Sequence, residues 1–249
     1  MASLPRVRVP HSVDVERSSS VNCRGDASTE FVPIPGSSAV STTLFDEVRS
    51  GTSPPLLPIT VDQFQQMIHS GILHDGDPIE LIDGFMVRKD RSSPGENIMG
   101  HNPRHALLVS RLQRLLGLSC ESAGLYLRIQ LPVTLSNINA PEPDIAVVRG
   151  TEEDYVDRHP GPEDVPLVIK VADSSVSTDR STKQRLYATA EVARYWLVNL
   201  PDSQVEVYEQ PDSASGKYTQ QTTLKAHQTL VWNLSPTQRL EINVADLFR

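Results

Sequence analysis

Two cysteines, Cys23 and Cys120, in 249 residues are too few and too far apart for a disulfide framework or a zinc site, both of which need clustered thiols. A reducing, cytoplasmic setting suits such a chain. Long apolar runs are missing too. Nothing approaches the roughly 20 residues that a bilayer requires, and the N-terminus lacks the continuous apolar core of a signal peptide. There is no excess of basic charge: Lys and Arg number 23 against 31 Asp and Glu, for a net charge of -8. An extended nucleic-acid surface is thereby disfavoured, because phosphate neutralisation makes such proteins basic, although a small nuclease is not excluded. No segment repeats at a fixed period, so solenoids and propellers are excluded.

What is present changes character near residue 54. Residues 1–54 are rich in Ser, Pro and Val, with no sustained helical or alternating period, and such a segment buries too little apolar surface to order itself. They read as a disordered, solvated extension, with a phosphorylatable interaction tail as the alternative. Ser53-Pro54-Pro55 marks the boundary, and 55–249 is long enough for one well-buried domain.

From Thr60 the spacing of Thr60 and Gln63 matches a capping box, ahead of Phe64, Met67 and Ile68 on one helical face. Glu80 to Arg88 alternates around Asp83-Gly84, the pair that supplies positive φ in a two-residue hairpin. A loop from Arg91 to Asn102 leads to an amphipathic helix over about 103–120. Strands follow over 126–133 and 144–148, then a charged loop over 151–164. The run Leu167-Val-Ile-Lys-Val171 does not alternate and reads as a strand buried on both faces, hence central. Ser177 or Thr178 caps a helix through Glu191, and the strands 195–198 and 205–208 pair across Pro201-Asp202-Ser203. Further strands near 218–224 and 229–232 precede a helical turn at 244–248. The fold class is α/β, or α+β with a mixed central sheet flanked by helices.

Within this frame Asp144, following Pro143, opens a strand where a carboxylate is costly to bury unless it is paired or bound to a metal. The next strand offers Lys170. Glu80, His105, Pro143-Asp144-Ile-Ala-Val-Val, Leu167-Val-Ile-Lys-Val-Ala-Asp-Ser-Ser175, Asp179, Lys183, Tyr187 and Tyr195-Trp-Leu-Val, in that order, together resemble the Uma2 family. That is a set of restriction-endonuclease-like proteins of the PD-(D/E)xK superfamily. The resemblance spans roughly 55–249 and implies metal-dependent hydrolysis of phosphodiester bonds in DNA, with homodimers common among endonucleases of this architecture.

The resemblance implies that Asp144 binds Mg²⁺ or Mn²⁺ and that Lys183, moved onto the neighbouring helix, activates water or stabilises the developing phosphorane. It also implies a glutamate where this chain has Lys170. Such chemistry uses oxygen ligands around a hard cation, with a further cation beside the pentacovalent phosphorus. An ammonium about 4 Å from a divalent ion costs about 8 kcal/mol even at an effective dielectric of ~20. The expectation is that Lys170 replaces the metal and forms a buried ion pair with Asp144. An alternative route has Glu80 or Glu142 enter the site as the second metal ligand, Lys170 take the lysine's role and Lys183 become structural.

Ordinary readings stand beside these. His105 is a helix-terminal polar group or faces the site; Glu80 is an exposed strand acid or a site residue. Asp173-Ser174-Ser175 caps the following helix. Arg180, Lys183 and Arg185 form a solvated basic face, and Tyr187, Tyr195 and Trp196 are packing residues rather than platforms for bases.

Overall fold

A computed structural model describes residues 47, 48, 50–74, 76–89 and 103–249. The chain divides into two units, Met1–Pro54 and Pro55–Arg249. Cys23, the whole of the expected loop at 91–102, and residues 1–46 and 49 of the expected disordered extension lie outside the described residues.

The second unit begins with α1 (Val61–His69), whose capping box is in place. Thr60 Oγ1 accepts from Gln63 N–H at 3.2 Å, and Gln63 Oε1 accepts from Thr60 N–H at 2.9 Å. The strands β1 (Ile79–Ile82) and β2 (Phe85–Arg88) pair as an antiparallel hairpin. Its turn residues Asp83 and Gly84 have φ of 51° and 76°, the left-handed pair expected of this dipeptide. Glycine is required for a second reason, because a Cβ at Gly84 would lie 2.2 Å from the Pro58 Cβ.

Helix α2 (Pro103–Ser122) leads into β3 (Leu125–Ile129). The strand expected to reach residue 133 stops earlier, at Gln130, whose φ of 51° breaks the extended backbone. The strands β4 (Ile145–Arg149), β5 (Leu167–Ala172), β6 (Arg194–Asn199), β7 (Gln204–Asp212) and β8 (Lys217–Lys225) complete a six-stranded sheet in the order β3-β4-β5-β6-β7-β8. Only β5 and β6 run parallel; the other neighbours are antiparallel. The expected charged loop between β4 and β5 contains two 3₁₀ turns, Glu152–Tyr155 and Pro162–Asp164.

Between β5 and β6 the expected single helix is three pieces: α3 (Val176–Thr178), a π-helical turn over Asp179–Lys183, and α4 (Gln184–Thr189). Its expected start at Ser177 or Thr178 is corrected to Val176, with Ser175 at the cap position but making no side-chain cap bond. A separate antiparallel pair, β9 (Thr229–Asn233) with β10 (Arg239–Asn243), was not foreseen beyond its first strand, and α5 (Ala245–Phe248) closes the chain.

The sheet is covered on both faces, which is why β5 reads as an unbroken apolar run. One face, carrying Ile145, Val147, Leu167, Ile169, Trp196 and Val198, packs on Leu108, Leu112 and Leu116 of α2 and on Trp232 and Ile242 of the β9–β10 pair. The opposite face carries Ala146, Val148, Val168, Tyr195 and Leu197 against Leu186, Tyr187 and Ala188 of α4. Lys170 belongs by its even number to this second face, and there the sheet becomes polar. None of the described helices is long and apolar enough to cross a membrane.

Candidate functional site

Asp144 lies at the entrance of β4 and is almost fully buried. Its Oδ1 accepts from His105 Nε2 at 3.1 Å; its Oδ2 accepts from the Val171 N–H at 2.7 Å and lies 3.1 Å from Lys170 Nζ. An ionised carboxylate has acceptors only, so the His105 nitrogen facing it carries the hydrogen. Burial by itself would raise the Asp144 carboxyl. The Lys170 ammonium, with His105 and the Val171 amide, reverses that and holds it well below the usual carboxylate range. Lys170 is largely withdrawn from solvent beside it, its side chain 17% exposed. Desolvation works against its charge, but Asp144 and Asp179 outweigh that and raise it above the ordinary lysine value.

The other two candidates also meet. Lys183, expected either at the reacting centre or on a solvated basic face, is buried and donates to Glu80 Oε2, which also accepts from the Glu142 N–H at 3.2 Å. Glu80 is buried rather than an exposed strand acid. Glu142 reaches outward to Lys89 Nζ at 2.7 Å. Burial lowers Lys183, helped by the like charge of Lys170 and opposed by Glu80. The two pairs are therefore electrostatic neighbours.

The π turn supplies a fifth ionisable member. The Gln184 N–H reaches the Asp179 carbonyl, an i to i+5 bond, and both Asp179 and Lys183 are buried. Single π turns of this kind are common at functional sites. Asp179 accepts from Ser175 Oγ at 2.5 Å, so the hydroxyl expected to cap the helix serves a carboxylate instead. Burial raises the Asp179 carboxyl despite Lys170, Ser175 and Lys183. Glu80, Lys183, Asp179, Lys170 and Asp144 thus form a compact group of alternating charge.

The chain is similar to known proteins in two comparisons. The model of a family named Uma2, described as "Putative restriction endonuclease", matches residues 61–245. The chain belongs to the Uma2 family. Among solved structures, a protein of Anabaena variabilis, described as a "putative nuclease belonging to DUF820", is similar with a TM-score of 0.56 and 17% identity. The match covers 77% of this chain and 98% of that one. At such identity the likeness concerns the fold. No curated protein matches the chain.

For a Uma2 chain the donor set fits a divalent metal poorly. Mg²⁺ needs near-octahedral oxygen ligands at close range, yet in this site each candidate carboxylate, Asp144 and Glu80, already accepts from an ammonium. Among the described residues no group of three or more His, Cys, Asp or Glu could hold a metal ion. The cationic place beside Asp144 belongs to Lys170.

Some polar residues of this Uma2 fold escaped the sequence reading. Glu206 is buried on the same face and accepts from Arg180 through both oxygens, at 2.6 to 3.2 Å, from Tyr208 Oη at 2.8 Å and from Asn199 Nδ2 at 3.2 Å. Arg180 is therefore tied to a buried acid rather than merely solvated, whereas Arg185 pairs with Asp83 at the surface. The strand 205–208 was expected, but not that its Glu206 would lie under Arg180 of the π turn. Tyr187, Tyr195 and Trp196 are core residues, at most 1% exposed, and closed to a stacking base. Arg128 and His159 were also missed, although Arg128 is the one charged residue inside its strand.

Proposed function

We propose that this protein is a restriction-endonuclease-like domain of nuclease ancestry whose metal-dependent phosphodiester hydrolysis is impaired by Lys170, so that it acts on DNA chiefly by binding it. The observation that carries this reading is the occupation of both Asp144 oxygens, with the Lys170 ammonium 3.1 Å from one of them. Hydrolysis of the family type asks that carboxylate to hold Mg²⁺ or Mn²⁺. Family membership supports the ancestry, and the pairing of Asp144 and Glu80 with lysines supports the impairment. A homodimer, common among endonucleases of this architecture, would present two sites to a duplex, and sedimentation at assay concentration measures whether it forms.

The test is a plasmid and single-strand cleavage assay in Mg²⁺ and in Mn²⁺. It compares the natural chain, Lys170→Glu, and Lys170→Glu combined with Asp144→Ala. Cleavage by Lys170→Glu alone supports a nuclease silenced by one charge. Cleavage by the natural chain that is abolished by Asp144→Ala would overturn the impairment and make Lys170 part of a working site. Absence of cleavage in all three, together with no DNA affinity at low salt, would overturn the nuclease and DNA reading together.

A further inference from the structure

A second polar cluster lies on β3, apart from the Asp144 group. Tyr126 and Arg128 stand opposite Val148 and Ala146 of β4 and share the face of the sheet that those residues line. Arg128 is 9% exposed. Its Nη2 lies 3.0 Å from His159 Nδ1, and since a guanidinium has only donors, the imidazole nitrogen accepts. Among the described residues Arg128 Nε and the Tyr126 hydroxyl, both buried, have no hydrogen-bond partner.

No carboxylate among the described residues forms an ion pair with Arg128. The nearby cation Arg158 is differently placed, for it pairs with Asp164 at 2.6 Å. Arg180, elsewhere on the face, is matched by Glu206. Among the described residues Arg128 is the nearly buried cation whose partner is an imidazole, and burial and the arginine itself favour the neutral form of that imidazole. A neutral acceptor returns one hydrogen bond but none of the charge, and an uncompensated buried ion is costly. The cluster therefore has surplus donors and surplus positive charge, and lacks an acceptor with negative charge.

An oxyanion supplies both. Planar guanidinium groups suit phosphate, which can accept two parallel N–H bonds. Arg128 pairs with Ala146, two residues along β4 from Asp144, a separation of about 7 Å along one face. We propose that Arg128 anchors a phosphate-binding subsite beside the Asp144–Lys170 pair, and that His159 holds the guanidinium until a phosphate oxygen displaces it. The proposal rests on the DNA reading above only for the carrier of the phosphate. Tyr126 Oη and Arg128 Nε become donors to the anion as His159 moves aside.

The experiment follows the Arg128 Nε–H resonance of the full chain labelled with ¹⁵N-arginine, assigned by its loss in Arg128→Lys. Inorganic phosphate and a short single-stranded oligodeoxynucleotide are the two titrants, and chloride is the control. Both titrants are expected to shift the resonance saturably. His159→Ala should bind phosphate more tightly, because the competing acceptor is gone, and Arg128→Gln should lose about tenfold or more. In the oligonucleotide arm the salt slope should fall by about 0.7 with Arg128→Gln.

A shift with oligonucleotide but not with free phosphate supports a site for polymer-borne phosphate. A shift with free phosphate and no oligonucleotide binding supports the oxyanion site while removing DNA as its source. Oligonucleotide binding that leaves the Arg128 resonance unmoved overturns the subsite and leaves the DNA reading standing; no response to either titrant overturns the subsite as well. The resonance titration and His159→Ala decide the matter even where Arg128→Gln does not fold.

Discussion

Replacing Lys170 by methionine removes one charge from a buried pair and nearly preserves side-chain length. At 3.1 Å from Asp144, an effective dielectric of ~20 gives an attraction of about 5 kcal/mol. Breaking buried pairs by truncating one partner costs about 3–5 kcal/mol, because the remaining ion keeps its desolvation penalty. His105 and the Val171 N–H remain on Asp144, which places Lys170→Met at the lower end, near 3 kcal/mol. At roughly 2–4 °C per kcal/mol for a domain of this size, the midpoint of thermal unfolding should fall by about 6–12 °C. Removing both partners, as Lys170→Met with Asp144→Leu, should restore most of that loss. Urea unfolding followed by the fluorescence of Trp196 and Trp232, which meet edge-on at 5.7 Å in the core, measures both variants. Divalent cation adds a second arm: the natural chain should be indifferent to Mg²⁺, whereas Lys170→Glu should gain stability that grows with the logarithm of its concentration. A single variant within 1 kcal/mol of the natural chain at unchanged m-value, or a double variant as unstable as the sum of the two single ones, would refute the pairing argument.

Other expectations are narrower. Gly84→Ala places a Cβ 2.2 Å from the Pro58 Cβ in a backbone of φ 76°; it should cost roughly 1–3 kcal/mol, and a neutral result in urea unfolding would show that the hairpin relaxes freely. Tyr187→Phe deletes a buried hydroxyl without a partner among the described residues and should stabilise by up to about 1 kcal/mol; a clear loss of stability would contradict this. His159 is lowered by burial and by Arg128, so the unfolded chain binds more protons than the folded one in that range. Its contribution is complete above about pH 6.5 and is lost as the pH falls below that value. His159→Gln should therefore flatten the stability curve between pH 7 and 5, and an unaltered slope would dismiss the histidine as its origin.

Local chemistry was readable in the sequence wherever it closes over a few residues. The Thr60–Gln63 box, the Asp83-Gly84 turn and the apolar run of β5 each need only neighbours along the chain. The Asp144–Lys170 contact was reachable as well, because adjacent strands in a known pattern leave a lone buried lysine few partners other than the aspartate. Covered sheet faces defeated the same logic elsewhere: Glu206 sits in an alternating strand whose second face is buried, so period two no longer separates wet from dry. The β10 strand, exposed on alternate residues and five residues long, gave too weak a pattern to stand without its partner β9.

By itself the sequence determined the mixed α and β order of elements, the central place of β5, and the likeness to the Uma2 family. Those follow from period, turn residues and a motif, all properties of contiguous chain. Tertiary structure alone decided that Lys183 turns from the solvent to Glu80, 103 residues away, that the π turn buries Asp179 beside two lysines, and that Arg128 faces a neutral histidine instead of an acid. Each of these depends on which charges share a low-dielectric space after the sheet is covered, and that space exists only once distant segments have packed.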